Sequence, residues 1–168
     1  MKINGQGRTT AYQANLDWGP FFAGLSDEHL QLIGTFSHRN AVESGATIFL
    51  QGRPAKHLYI VQQGNVSLEM LVPSPSGGAT RPTRVSVLGP GEAFGWSALV
   101  EPHIFFMSAM ALERCELLTV EGEALGEAMR RYPALGNVLL SNLTKLLAQR
   151  LHQTRQALIH ERGWAAVA

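Results

Sequence analysis

The chain has 168 residues, 45% apolar and 16% charged, which suits a folded domain with a substantial core and excludes a disordered chain. Fourteen basic against 13 acidic residues leave a net charge of +1, so no global field draws the protein to nucleic acid or to an anionic membrane. A single cysteine, Cys115, excludes an internal disulfide and any all-cysteine metal site, and no apolar run approaches the length of a membrane span.

Residues 1–15 are rich in Gly, Gln, Thr and Asn without periodicity and read as a loose arm. They contain no apolar signal core, so a cytoplasmic location is expected. Trp18 to Phe22 supplies aromatic anchors that would tie the arm to the body. Ser26 then caps a short helix whose positive end suits Asp27 and Glu28. Leu25 can staple onto Leu30, and Leu30, Ile33 and Phe36 fall on one face.

From Ala41 to Val120 the pattern changes to short strands between turns. Ala46 to Leu50, Leu58 to Val61, Val66 to Leu71 and Arg84 to Leu88 are enriched in β-branched and apolar residues. Gly45, Gly52-Arg53-Pro54, Gly64-Asn65 and Gly89-Pro90-Gly91 separate them, and Pro73 to Gly78 reads as a hairpin tip. Many short strands at regular spacing point to a sandwich or jelly roll. Cys115, inside the apolar run Cys115 to Val120, reads as a buried, inert thiol.

After Val120 the pattern turns helical, with one helix over Glu121 to Tyr132 and Pro133 starting the next. Residues 133–168 read as a long C-terminal helix with its tail, following a body over residues 16–132. Leu140, Thr144, Leu147, Leu151, Thr154 and Leu158 keep a four–three spacing, with Leu143 and Leu146 widening the stripe. Such a stripe fits the domain's own body or a partner helix, and its length allows both.

Gly89 to Ala109 is the stretch on which function turns. Three glycines within Gly89 to Gly95 mark a chain reversal, and Ser97 to Val100 can add a helical turn whose free N–H groups suit an anion. By itself the glycine pattern fits a structural turn equally well. The flanking residues Phe94-Gly95, Ser97-Ala98-Leu99 and Ser108-Ala109, separated by a loop, resemble the phosphate-binding cassette of the cyclic-nucleotide-binding domain family. That family includes the sensory domain of bacterial catabolite activators and of protein kinase A regulatory subunits.

The resemblance covers roughly residues 20 to 160 and implies a mainly β, α+β fold: a double-stranded β-helix jelly roll with flanking helices and a long C-terminal helix. It places the ligand contacts at Gly95, Trp96, Ser97, Ala98, Met107, Ser108 and Ala109, with Thr154 on the long helix reaching the base. Two positions depart from the family. Trp96 stands where the family carries the glutamate that holds the ribose, and Met107 where it carries the arginine that neutralises the phosphate. Removing one member of a buried charge pair costs roughly 2–5 kcal/mol, so cyclic AMP and cyclic GMP are expected to bind weakly. Trp96, Met107 and the Phe105-Phe106 pair are expected to fill part of a common cavity.

In relatives the long helix pairs two subunits, which implies a homodimer through Leu140, Leu143, Leu147, Leu151 and Leu158. The expected role is a non-catalytic regulatory domain that senses a small ligand and signals through that helix to a downstream protein. The alternative is a ligand-free dimerising module with a closed pocket. No cofactor is expected beyond such a nucleotide, and no membrane partner. The activators continue into a helix-turn-helix module that this stretch does not contain, so DNA binding by the chain alone is not expected. The six histidines are scattered without a His-x-His pair, which argues against a cupin-type metal enzyme.

Overall fold

A computed structural model describes residues 17–73, 77–78 and 80–165, apart from the side chains of residues 157, 158 and 160–165. The arm expected over residues 1–15, most of the hairpin tip and the final residues of the tail lie outside this description.

Among the described residues, eight strands follow from the alternating and apolar runs of the middle of the chain. They are β1 (Ser37–Val42), β2 (Thr47–Phe49), β3 (His57–Gln63), β4 (Val66–Val72), β5 (Arg81–Leu88), β6 (Ala93–Phe94), β7 (Ser108–Ala111) and β8 (Cys115–Glu121). They form two four-stranded antiparallel sheets, in the orders β1-β8-β3-β6 and β2-β7-β4-β5. This is the jelly roll with flanking helices that the sequence implied.

The first sheet is covered on both faces, which explains its nearly continuous apolar strands. On β3, Leu58 and Ile60 join a core shared with the helices, whereas Tyr59 and Val61 face the core between the sheets. On β8, Leu118 and Val120 take the helical side, and Cys115 and Leu117 the inter-sheet side. The period of two therefore sorts one strand between two cores. The Cys115 thiol is buried and donates to the carbonyls of Asn65 and Glu113 at 3.2 and 3.3 Å, and burial pushes its pKa up.

Among the described residues, three helices complete the fold: α1 (Asp27–Gly34), α2 (Gly122–Arg131) and α3 (Pro133–Ala165). Ser26 caps α1, its hydroxyl accepting from the His29 amide at 3.3 Å. Phe36, expected on that helix, lies past its end but still packs on the same core. A 3-10 turn at Pro20–Phe22 buries Phe21 and Phe22, and Trp18 meets Phe22 edge-on at 5.4 Å. The Asn142 side chain donates to the carbonyls of Phe21 and Ala23 at 3.0 and 2.8 Å, which ties α3 to the entry of the body.

Helix α3 carries two apolar stripes. Leu135, Leu139 and Leu143, each four residues on, are buried in the domain's own core. Leu140, Leu147 and Leu151 are 53%, 42% and 61% exposed. Leu143 therefore corrects the expected seam: it belongs to the body and is not available to a partner. The Leu158 side chain lies outside the described residues.

Candidate functional site

The cassette is built by a chain that turns tightly between two strands. The Gly91 amide donates to the Val61 carbonyl at 2.8 Å, and the Val61 amide to the Glu92 carbonyl at 3.0 Å, pinning the turn to β3. Strand β6 follows, then Gly95 with φ 77° and ψ 21°, then a 3-10 turn over Trp96–Leu99. Glycine is required at position 95 for two reasons. Its φ lies in the left-handed region, and a Cβ there would come within 2.9 Å of the His57 carbonyl oxygen and 3.0 Å of the Tyr59 ring. Ser97 and Ala98 are buried, and the Ala98 amide donates to the Gly95 carbonyl at 3.1 Å. The turn thus consumes a donor that the expected anion site would use.

Met107, Ser108 and Ala109 return on the other sheet, where β7 pairs with β2 and β4. Ala109 is buried between the sheets, and the Ser108 hydroxyl accepts from the Gln51 amide at 3.0 Å. Met107 packs against the inter-sheet core, whereas Trp96 packs against the helical core. This corrects the expectation of one cavity filled by both. Phe106, expected in the same cavity, is 58% exposed. Thr154 is exposed on α3 and its hydroxyl donates to the Arg150 carbonyl at 2.9 Å, one turn back on its own helix.

Aromatic rings gathered from distant strands stand beside the cassette turn. Phe49 stacks on Phe105 with centroids 3.7 Å apart and planes 8° from parallel. Tyr59 stacks on Phe94 at 5.1 Å and lies 5.7 Å from Phe49. Phe105 shares a small buried cluster with Ala98 of the turn and with Ala55. Of these rings Phe94 and Phe105 were singled out from the sequence. The others sit on strands whose alternation gives the face but not the neighbour across the sheets.

One polar contact ties the cassette to α3. Arg150 Nη2 donates to Glu92 Oε1 at 2.9 Å, and Glu92 Oε2 accepts from the Gly89 amide at 2.8 Å. A single carboxylate thus closes the turn that leads into β6 and holds the long helix. A cavity of about 200 Å³, lined in part by Phe21, Gly91, Lys145 and Arg150, lies alongside this contact. Among the described residues no group of three or more His, Cys, Asp or Glu side chains is placed to hold a metal ion, and no helix is long and apolar enough to cross a membrane.

The profile of the cyclic nucleotide-binding domain matches residues 39–132, more than half of the chain, and the protein belongs to that family. The chain is 35% identical over 134 residues to the cyclic AMP receptor protein of Thermus thermophilus, covering 80% of this chain and 58% of that protein. A solved structure of the Thermus thermophilus catabolite activator protein superposes with a TM-score of 0.66 at 33% identity, covering 83% of this chain and 62% of that one. A cyclic nucleotide-binding domain from Methylobacillus flagellatus superposes with a TM-score of 0.76 at 18% identity, covering 93% and 87%, and speaks for the fold alone. The chain spans about half the length of the curated relatives it matches, 58% of one and 47% of another.

Proposed function

We propose that this chain is a non-catalytic regulatory domain in which the long helix α3 reads the state of the cassette, and that cyclic AMP and cyclic GMP are not its tight ligands. The observation that carries the reading is the Arg150–Glu92 ion pair, which joins α3 to the turn feeding the cassette. A ligand that displaced Gly95 or Trp96 would pull on Glu92, three residues before Gly95, and so on the helix.

The weak affinity for cyclic nucleotides follows from the chemistry present. Trp96 and Met107 offer neither a carboxylate for ribose hydroxyls nor a cation for a phosphate, and the Ser108 hydroxyl, which accepts from the Gln51 amide, brings no charge of its own. Losing a buried arginine contact alone shifts a micromolar site toward the millimolar range, by about 2–5 kcal/mol. Two such domains pair through the exposed leucines Leu140, Leu147 and Leu151 of α3. A left-handed pairing of two helices buries a stripe of this spacing.

A second reading, a ligand-free dimerising module, is favoured by the Phe49–Phe105 stack, which fills space beside the cassette turn with the protein's own rings. Calorimetric titration of cyclic AMP, cyclic GMP and the cyclic dinucleotides separates the readings. Millimolar or weaker binding of the two mononucleotides is expected, and submicromolar binding of either would overturn the weakened cassette. A cyclic dinucleotide that binds selects the sensor. Silence across the panel selects the module.

A further inference from the structure

A second cleft, of about 630 Å³, opens between the end of the cassette turn, the start of β3 and helix α2. That volume lies within the range of small-molecule sites, roughly 300–1,000 Å³. Lys56 enters it from just before β3 and His57 from the first residue of β3, His103 from the loop after the turn, and Glu121 from the end of β8. Glu123, Gly126 and Arg130 enter from α2, where spacings of three and four put them on one face.

The charges are balanced. Two cations and two carboxylates line the cleft, yet among the described residues none of the four is in an ion pair, and the pairs present are Arg114–Glu43 and Arg150–Glu92. Opposite charges that face one cleft without meeting leave room for a dipolar guest between them. A dianion would be repelled by the carboxylates, and a polyamine by Lys56 and Arg130. His57 does not add a third cation: burial first, then His38 and Lys56, lower its pKa, against an opposing pull from Glu121.

The loop that delivers His103 is held in place. His103 has φ 56°, uncommon for a residue with a side chain, and its amide and carbonyl are fixed by Val100 and Ala55 at 2.9 and 2.7 Å. Its Nδ1 lies 3.2 Å from the Ala98 carbonyl oxygen, which can only accept. Nδ1 therefore carries the proton, and in the neutral ring Nε2 remains an acceptor.

Gly126 is the most telling residue. Glycine is the poorest helix former after proline, so one inside α2 calls for a reason. At Gly122 and Gly136 the reason is packing, since a Cβ would come within 2.7 Å of Ala98 Cβ and 2.8 Å of the Met129 carbonyl oxygen. At Gly126 the φ is helical and a Cβ would meet only Arg130 Nη1, at an ordinary 3.6 Å. Neither conformation nor packing demands glycine there; its effect is to keep the cleft open beside the Arg130 guanidinium.

We propose that this cleft binds a small zwitterion of the α-amino-acid class, its carboxylate held by Arg130 and Lys56 and its ammonium by Glu121, Glu123 and Nε2 of His103. The guest would touch Ala98 and Leu99 of the cassette turn and also α2, which leads through Tyr132 into α3.

The test is a thermal-shift and calorimetric screen of the full chain against the twenty free L-amino acids, with inorganic phosphate, citrate and putrescine beside them. One amino acid or a few related ones should bind and raise the melting temperature. Arg130→Gln should weaken that binding at least tenfold, while the amino-acid-free melting temperature changes little. Gly126→Leu should abolish binding and leave the free protein as stable as before or more so, because leucine is the better helix former. Gly126→Ala, which meets nothing closer than ordinary contact, is the milder companion and should bind more weakly than wild type. Silence of all twenty at about 10 mM, a concentration that reveals even millimolar affinity, would overturn the proposal. So would undiminished binding by Gly126→Leu, or binding of phosphate, citrate or putrescine in place of the amino acids.

Discussion

Cutting the Arg150–Glu92 contact should loosen α3 from the cassette turn by an amount that can be worked out beforehand. The two side chains meet at 2.9 Å, Arg150 being 21% and Glu92 45% exposed. A hydrogen bond to a charged group contributes about 1.5–3 kcal/mol when shielded, against about 0.2–1 kcal/mol for a pair in water. With Glu92 nearly half in solvent, screening decides the matter, and a coupling of about 0.5–1 kcal/mol is expected. Glu92→Ala would confuse the measurement, because Glu92 also accepts from the Gly89 amide. Glu92→Gln keeps a carbonyl oxygen for Gly89 while removing the charge, so the cycle pairs it with Arg150→Met. Urea unfolding of the four proteins gives the coupling directly. In about 1 M salt, where the Debye length is roughly 3 Å, most of it should vanish. A coupling below about 0.2 kcal/mol at low salt, or one indifferent to salt, would refute the tether.

Four further outcomes follow from the geometry. Replacing both Leu147 and Leu151 by aspartate should give a folded monomer in light scattering, and a wild-type chain that is monomeric at high concentration would end the dimer reading. Leu143→Ala should instead lower stability by about 2–5 kcal/mol, since that side chain is buried in the body. Gly95→Ala should cost about 2–4 kcal/mol in chemical denaturation, from the left-handed φ of 77° and the approach to the His57 carbonyl, and a loss under about 1 kcal/mol would contradict the packing described. His57 has a folded pKa below its ordinary 6.5, through burial first and His38 second. The unfolded chain therefore binds the extra proton more readily. The contribution is complete above about pH 6.5 and is lost as pH falls through the lower folded value, a slope that His57→Gln should flatten. An unchanged slope in that variant would remove His57 from the account.

Local chemistry made much of the fold legible. The Ser26 cap, the turn glycines, the start of α3 at Pro133 and the return at Gly89 to Gly91 depend on residues within a few positions of one another, and each falls where the sequence places it. Gly95 was visible for the same reason, since a required left-handed conformation is a property of one residue. Element ends were less legible, as Phe36 shows by lying beyond α1 while still packing on its core.

What touches what across the body was decided by tertiary structure alone. Trp96 and Met107 are close in sequence, yet β6 belongs to one sheet and β7 to the other, and the two side chains enter different cores. Phe49 and Phe105 meet because β2 and the chain before β7 lie side by side, a register that no local propensity sets. The same holds for Arg150 and Glu92, 58 positions apart, and for Lys56, His103, Glu121 and Arg130 around one cleft. On α3 the sequence determined that a leucine stripe exists, but the stripe is wider than one interface. Only the body beneath the helix, with α2 and the Pro20–Phe22 turn packed against it, decided that Leu135, Leu139 and Leu143 turn inward while Leu140, Leu147 and Leu151 remain exposed. Helical periodicity gives the angle between side chains; which angle faces the core depends on a surface formed by residues far away in the chain.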